Sequence, residues 1–141
     1  HKRTCCYGLV NRTHNYTIGR LTMSTDKTAR AALSALIILQ LIMLLSLFTL
    51  TRPHPPVAIP LFAIAPFLAT SLSLAVAALI IGPVENGMGR TLAVMAGLAA
   101  LLSFGPQKYT DPQFALIWPA VIGGQVAALA LFYTSYKGPR A

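Results

Sequence analysis

Residues Val57 to Gly82 read VAIPLFAIAPFLATSLSLAVAALIIG and contain no charged side chain over 26 positions. As an α-helix, a segment of this length crosses the hydrocarbon core of a bilayer, which is about 30 Å thick, with some tilt. Three further apolar segments accompany it. We therefore predict an all-α integral membrane protein, a small bundle of four transmembrane helices, at about 27–50, 57–82, 88–104 and 112–133.

The composition of the chain favours a membrane environment. Of its 141 residues, 55% are hydrophobic and 10% are charged, whereas a soluble domain carries about 25% charged residues. The net charge is +8, but the basic residues lie near the chain ends and singly in loops. Because nucleic-acid binding is marked by a basic patch or stripe on one face, the sequence predicts lipids and membrane proteins as partners and no nucleic acid.

The distribution of lysine and arginine predicts the topology. With four spans, one side of the membrane receives nine of these residues and the other side receives only Arg52 and Lys108. If Met23 is the true start, the first side keeps five. By the positive-inside rule, both termini face the cytoplasm or stroma. The predicted location is a bacterial inner membrane or a thylakoid or other organellar membrane.

The polarity of the sequence predicts three segments: a polar, basic N-terminal tail at 1–23, a transmembrane domain at 24–137 and a short C-terminal tail at 138–141. The N-terminal tail shows no sustained period of 2 or 3.6 residues, so no regular element is predicted there. Whether residues 1–22 belong to the mature protein stays open.

Two features lie at the start of the chain and at the border of the first span. Cys5 and Cys6 are adjacent, so a disulfide between them would be strained. Two free thiols are the simpler interpretation, and palmitoylation near a membrane is the alternative.

Ser24, Thr25 and Asp26 precede the first span and are candidates for its N-cap.

The spans are joined by three polar connectors, at 51–56, 82–90 and 105–111. The first, TRPHPP, has three prolines in four positions and cannot continue a helix. In the third, Thr110 or Asp111 is placed to cap the last helix, because Pro112 suits its first position.

Small residues recur at every fourth position on three of the predicted helices. Such rows let helix backbones approach closely in a membrane, within one chain or between chains. The rows predicted to pack against another helix are Ala69, Ser73 and Ala77; Gly89, Ala93 and Gly97; and Ala120, Gly124 and Ala128.

Few side chains are available to bind a cofactor. The four spans contain no ionisable residue at depth, where such residues mark function. The candidates for an axial ligand or a headgroup contact are His54, Glu85, Asn86, Gln40 and Gln125. Hydrogen bonding between helices is the alternative role for the two glutamines. A solvated turn with a Glu–Arg pair is the alternative for the cluster at 82–90. The cofactor stays undetermined, and chlorophyll, carotenoid, quinone and structural lipid are the possibilities; no metal site is predicted.

Three functional hypotheses follow. The first is a non-catalytic accessory or structural subunit of a larger membrane bioenergetic complex, photosynthetic or respiratory, that packs through small-residue helix faces. The second is a small homo-oligomeric transporter or channel for a neutral solute, in which Gln40 and Gln125 would matter. The third is a lipid-modifying membrane enzyme built on Glu85, Asn86 and Arg90. Since no nucleophile–base pair or cofactor fingerprint is present, we predict no enzyme.

Overall fold

The computed structural model describes residues 3–51 and 61–137, with side chains for 23–51 and 62–137. These residues are almost entirely helical and contain no strand. Their elements are the helices α1 (Arg3–Thr49), α2 (Leu61–Ile81), α3 (Gly87–Phe104) and α4 (Phe114–Lys137), with a short 3₁₀ helix at Pro106–Thr110 between α3 and α4.

Four helical segments are long and apolar enough to cross a membrane, as the sequence predicts. They are Met23–Thr49, Phe62–Ile81, Gly87–Thr110 and Phe114–Lys137. These four segments are consistent with a multi-pass membrane protein. The first ends where Leu50 adopts a positive φ of 51°, because left-handed backbone at this position stops the helix. The prolines and His54 of the first connector lie outside the described residues.

The four helices run alternately up and down around a ring. Each packs against its two neighbours in the ring, α1 and α3 also touch across the middle, and α2 and α4 make no contact within the described residues. The span of α1 therefore starts at the same end of the bundle at which α4 finishes. The shared core is built mainly from alanines and leucines, among them Leu33, Leu36, Ala75, Ala96 and Leu131.

The predicted small-residue rows on α3 and α4 do pack inside the bundle. Gly89, Ala93 and Gly97 are all buried, as are Gly124 and Ala128, while Ala120 is half-buried. A Cβ atom on Gly97 would lie 2.9 Å from the Phe132 ring, and one on Gly89 would strike the carbonyl oxygen of Gly82. The missing side chains leave room for the Phe132 ring beside Gly97 and for the Gly82 carbonyl beside Gly89, the kind of close packing that small residues permit.

The predicted row on α2 faces away from the rest of the chain. Ala69 and Ser73 are exposed and Ala77 is half-buried, whereas the buried face of α2 consists of Leu68, Ser71, Ala75 and Ala78. Within the described residues this row is therefore not part of the buried helix contacts, and contact with another chain stays a prediction for it. The physical reason is that α2 carries small residues on both faces, so spacing alone does not decide which face turns inward.

The start of α1 also differs from the prediction. The helix runs through Ser24, Thr25 and Asp26 and begins at Arg3, so these three residues do not form an N-cap and residues 3–23 are helical. Two local interactions suit this sequence to a helix interior: the Thr28 hydroxyl donates to the Ser24 carbonyl at 3.0 Å, and Asp26 pairs with Arg30 one turn later. Ser, Thr and Asp side chains occur both at helix caps and within helices, and in this chain all three residues lie within α1.

Candidate functional site

Gln40 lies deep between α1 and α2. Its Nε2 donates to the Ser71 hydroxyl at 2.6 Å, and each of the two side chains is only 1% exposed. Since Gln40 is on α1 and Ser71 is on α2, this bond fixes the register of the two helices. The alternative role predicted for this glutamine, a hydrogen bond between helices, is the one that the structure shows.

A group of charged side chains lies at the end of the bundle where the α1 span starts. Arg30 binds Asp26 through Nε at 2.7 Å and Glu85 through Nη2 at 3.1 Å. Its Nη1 donates to the carbonyl oxygen of Leu79 at 3.3 Å. Arg30 therefore links α1, the last turn of α2 and the loop that precedes α3. We call Asp26, Arg30 and Glu85 the ion cluster.

Asn86 caps α3. Its side-chain oxygen accepts a hydrogen bond from the backbone N–H of Gly89 at 2.7 Å, and its Nδ2 donates to the carbonyl oxygen of Ile81 at 3.3 Å. The same turn contains Gly82, whose φ is +96°. A Cβ atom on Gly82 would lie 2.8 Å from the Glu85 carboxylate. This turn needs glycine for its backbone conformation and for the space that Glu85 occupies.

Gln125 lies near the middle of α4. It projects from α4, and its Nε2 donates at 3.0 Å to the carbonyl oxygen of Phe104, the last residue of α3. Its Oε1 accepts a hydrogen bond from the Tyr109 hydroxyl at 2.8 Å. Gln125 therefore satisfies one of the orphan carbonyls at the α3 C-terminus and holds the 3₁₀ helix against α4.

Asp111 lies in the turn before α4, which begins at Phe114 rather than at the predicted first position, Pro112. Its Oδ1 accepts a hydrogen bond from the backbone N–H of Gln113 at 2.9 Å, and Lys108 pairs with its Oδ2 at 3.4 Å. The backbone N–H bond, with a smaller contribution from Lys108, lowers the pKa of Asp111 below its ordinary value of 3.8, and desolvation partly opposes this. The carboxylate is thus stabilised in its charged form.

The five candidate ligands do not meet at one site. Gln40 lies between α1 and α2, Glu85 and Asn86 lie at one end of the bundle, Gln125 lies between α4 and the last residue of α3, and His54 lies outside the described residues. Within the described part of the chain, no three His, Cys, Asp or Glu side chains gather where they could hold a metal ion. The four described candidates bond to other groups of the chain.

No known family matches the chain, and no significant match is found among curated proteins or solved structures. Its function is therefore approached from its own residues.

Sequence reasoning missed three partners that the fold supplies. Ser71 bonds Gln40, Tyr109 bonds Gln125, and Arg30 bonds Glu85. A signal existed for the last pair, because the chain has only three acidic residues. The predicted topology places the start of the first span and the 82–90 connector at the same end of the bundle. For the two glutamines, spacing gave no means of choosing among the hydroxyl groups on other helices.

Proposed function

We propose that this chain is a non-catalytic accessory subunit of a larger membrane complex, of the bioenergetic kind that the sequence favours, and that a partner helix packs on the outside of α2. The observation that carries this proposal is the exposed row of small residues on that helix. We call it the outer face of α2. It consists of Pro66, Ala69, Thr70, Ser73 and Ala77.

The shape of the outer face of α2 suits a second helix. Phe62, near the first residue of α2, is 80% exposed and Ile80, near the last, is 79% exposed. Between these two large side chains, the helix surface along the row lies close to the backbone, because the residues of the row are small. In a bilayer, apolar surface gains nothing by leaving lipid, so association depends on close van der Waals contact, which such a row permits.

The hydroxyl groups of the outer face are bonded within α2. Thr70 donates to the carbonyl oxygen of Pro66 at 2.8 Å, and Ser73 donates to that of Ala69 at 2.8 Å. Their protons therefore do not require a polar partner outside the chain. This favours a partner that contacts the face by packing rather than through a ligand held by these hydroxyls.

The arrangement of the bundle keeps this face accessible. α2 packs against α1 and α3, and within the described residues α4 does not touch it. Glu85, Asn86 and Gln125 already bond inside the chain. Packing and lipid contact, rather than ligation of a pigment or a quinone by these three residues, are therefore the interactions through which the proposed subunit joins its complex.

Site-specific photo-crosslinking in native membranes tests the proposal. A photoreactive amino acid is placed at Ser73 and, as a matched control, at Leu129 on α4, which is 63% exposed. We expect a protein adduct of one defined mass from Ser73 and none of that mass from Leu129. Lipid adducts alone at both positions would contradict the proposal. An adduct of twice the chain mass would replace it with the homo-oligomer hypothesis, which transport assays in liposomes with Gln40→Leu then test.

A further inference from the structure

The polar pair between α1 and α2 is incompletely hydrogen-bonded. Gln40 uses Nε2 to bond Ser71, but its Oε1 is buried and accepts no hydrogen bond from any described group. The Ser71 hydroxyl accepts from Gln40, and the structure gives its own proton no acceptor. An amide oxygen that is buried without a donor is costly, because it has lost its hydrogen bonds to water.

A second buried hydroxyl lies at a similar depth on α3. Ser103 is only 5% exposed, and its Oγ has no hydrogen-bond partner in the described part of the chain. Gly82 and Gly89 approach each other closely where α2 and α3 meet. Ser71 precedes Gly82 by 11 residues and Ser103 follows Gly89 by 14, so at 1.5 Å per residue their depths differ by about 4–5 Å.

We propose that Gln40 and Ser71 hold a buried water molecule in the bundle, at a depth similar to that of Ser103 on α3. The water donates one proton to Gln40 Oε1 and accepts the proton of the Ser71 hydroxyl. Buried waters commonly make about three hydrogen bonds to polar groups that lack other partners. This assignment gives Gln40 Oε1 and the Ser71 hydroxyl the partners that the described helices do not supply.

The proposal does not depend on the accessory-subunit function, because it concerns a site inside the bundle. The buried hydroxyl group of Thr134 provides a comparison, because it already has a hydrogen-bond acceptor within its own helix. Thr134 is 2% exposed, but its Oγ1 donates to the carbonyl oxygen of Ala130 at 2.9 Å. Thr134 therefore needs no water, and it serves as an internal control.

A crystal structure of the full chain from a lipidic mesophase, at a resolution that shows ordered water, tests this proposal. We expect solvent density within about 2.7–3.0 Å of Gln40 Oε1 and none beside Thr134. In the Gln40→Leu variant, or the more nearly isosteric Gln40→Met if the first does not fold, that density is lost while the Thr134 region is unchanged. Carbon atoms in contact with Oε1 on every side, or a protein donor bonded to it, would overturn the proposal.

Discussion

The adjacent glycines of α4 allow a sharp test of the packing. A Cβ atom on Gly124 would lie 2.8 Å from both Cβ and Cγ of Phe104, whereas one on Gly123 would meet only the Leu39 side chain, at 3.9 Å. Contacts under 3.0 Å force a shift. Rotation of the phenyl ring cannot relieve this one fully, because the Cβ position of Phe104 is set by the α3 backbone.

The magnitude follows from comparing the two substitutions. Glycine to alanine in a helix interior gains about 0.5–1 kcal/mol at either position from backbone entropy. Overpacking a tight interface costs about 1–3 kcal/mol. We therefore expect Gly123→Ala to stabilise the protein, and Gly124→Ala to be less stable than Gly123→Ala by about 1–3 kcal/mol.

The assay is equilibrium unfolding of both variants in mixed micelles, followed by helix content. The helix-propensity gain is common to both variants, so the difference in their free energies of unfolding isolates the contact with Phe104. In a double-mutant cycle, Gly124→Ala should cost less in a Phe104→Ala background than in the wild type, because the contact with Cγ is then absent. Equal stabilities for Gly123→Ala and Gly124→Ala would refute the close approach of α3 and α4.

Three further predictions concern the loops. Gly82→Ala should destabilise the fold by about 1–3 kcal/mol, because the positive φ is strained for alanine and the new methyl group displaces Glu85. A thermal melt in detergent should show a lower melting temperature for this variant. An unchanged melting temperature would contradict the prediction. Asn86→Ala should lose about 0.5–2 kcal/mol with the α3 cap, whereas Asn86→Asp should keep most of it; equal losses would rule out the capping role. The lowered pKa of Asp111 stabilises the fold above its ordinary value of 3.8, and that contribution is lost as the pH falls through the lower folded-state value. The melting temperature of Asp111→Asn should therefore fall less steeply below pH 4 than that of the wild type, and parallel curves would contradict this.

Hydropathy alone predicted the number, type and approximate position of the four helical segments that are long and apolar enough to span a membrane. This succeeded because a span must satisfy its own backbone hydrogen bonds and present apolar side chains over about 20 residues. In contrast, the start of α1 was missed, because Ser24, Thr25 and Asp26 are compatible with both a cap and a helix interior.

The orientation of α2 could not be predicted for a physical reason. In lipid, the polarity of a residue does not distinguish the inside of a bundle from its outer surface, and α2 carries a serine on each face, Ser71 and Ser73. The inward-facing serine, Ser71, is the one that bonds Gln40. The candidate ligands were hard to assign for the same reason, because their partners are determined by which helices become neighbours.

Purification from native membranes in mild detergent tests the central claim, membership of a larger complex, most directly. The full chain is captured and the eluate is measured for mass, protein content and absorption spectrum, with Ser73→Leu as the variant and Leu129→Ala as the matched control. We expect a larger partner to co-purify with the wild type and the control and to be lost with Ser73→Leu, because a leucine fills the outer face of α2. A wild-type chain that elutes alone or only with copies of itself would contradict the proposed function.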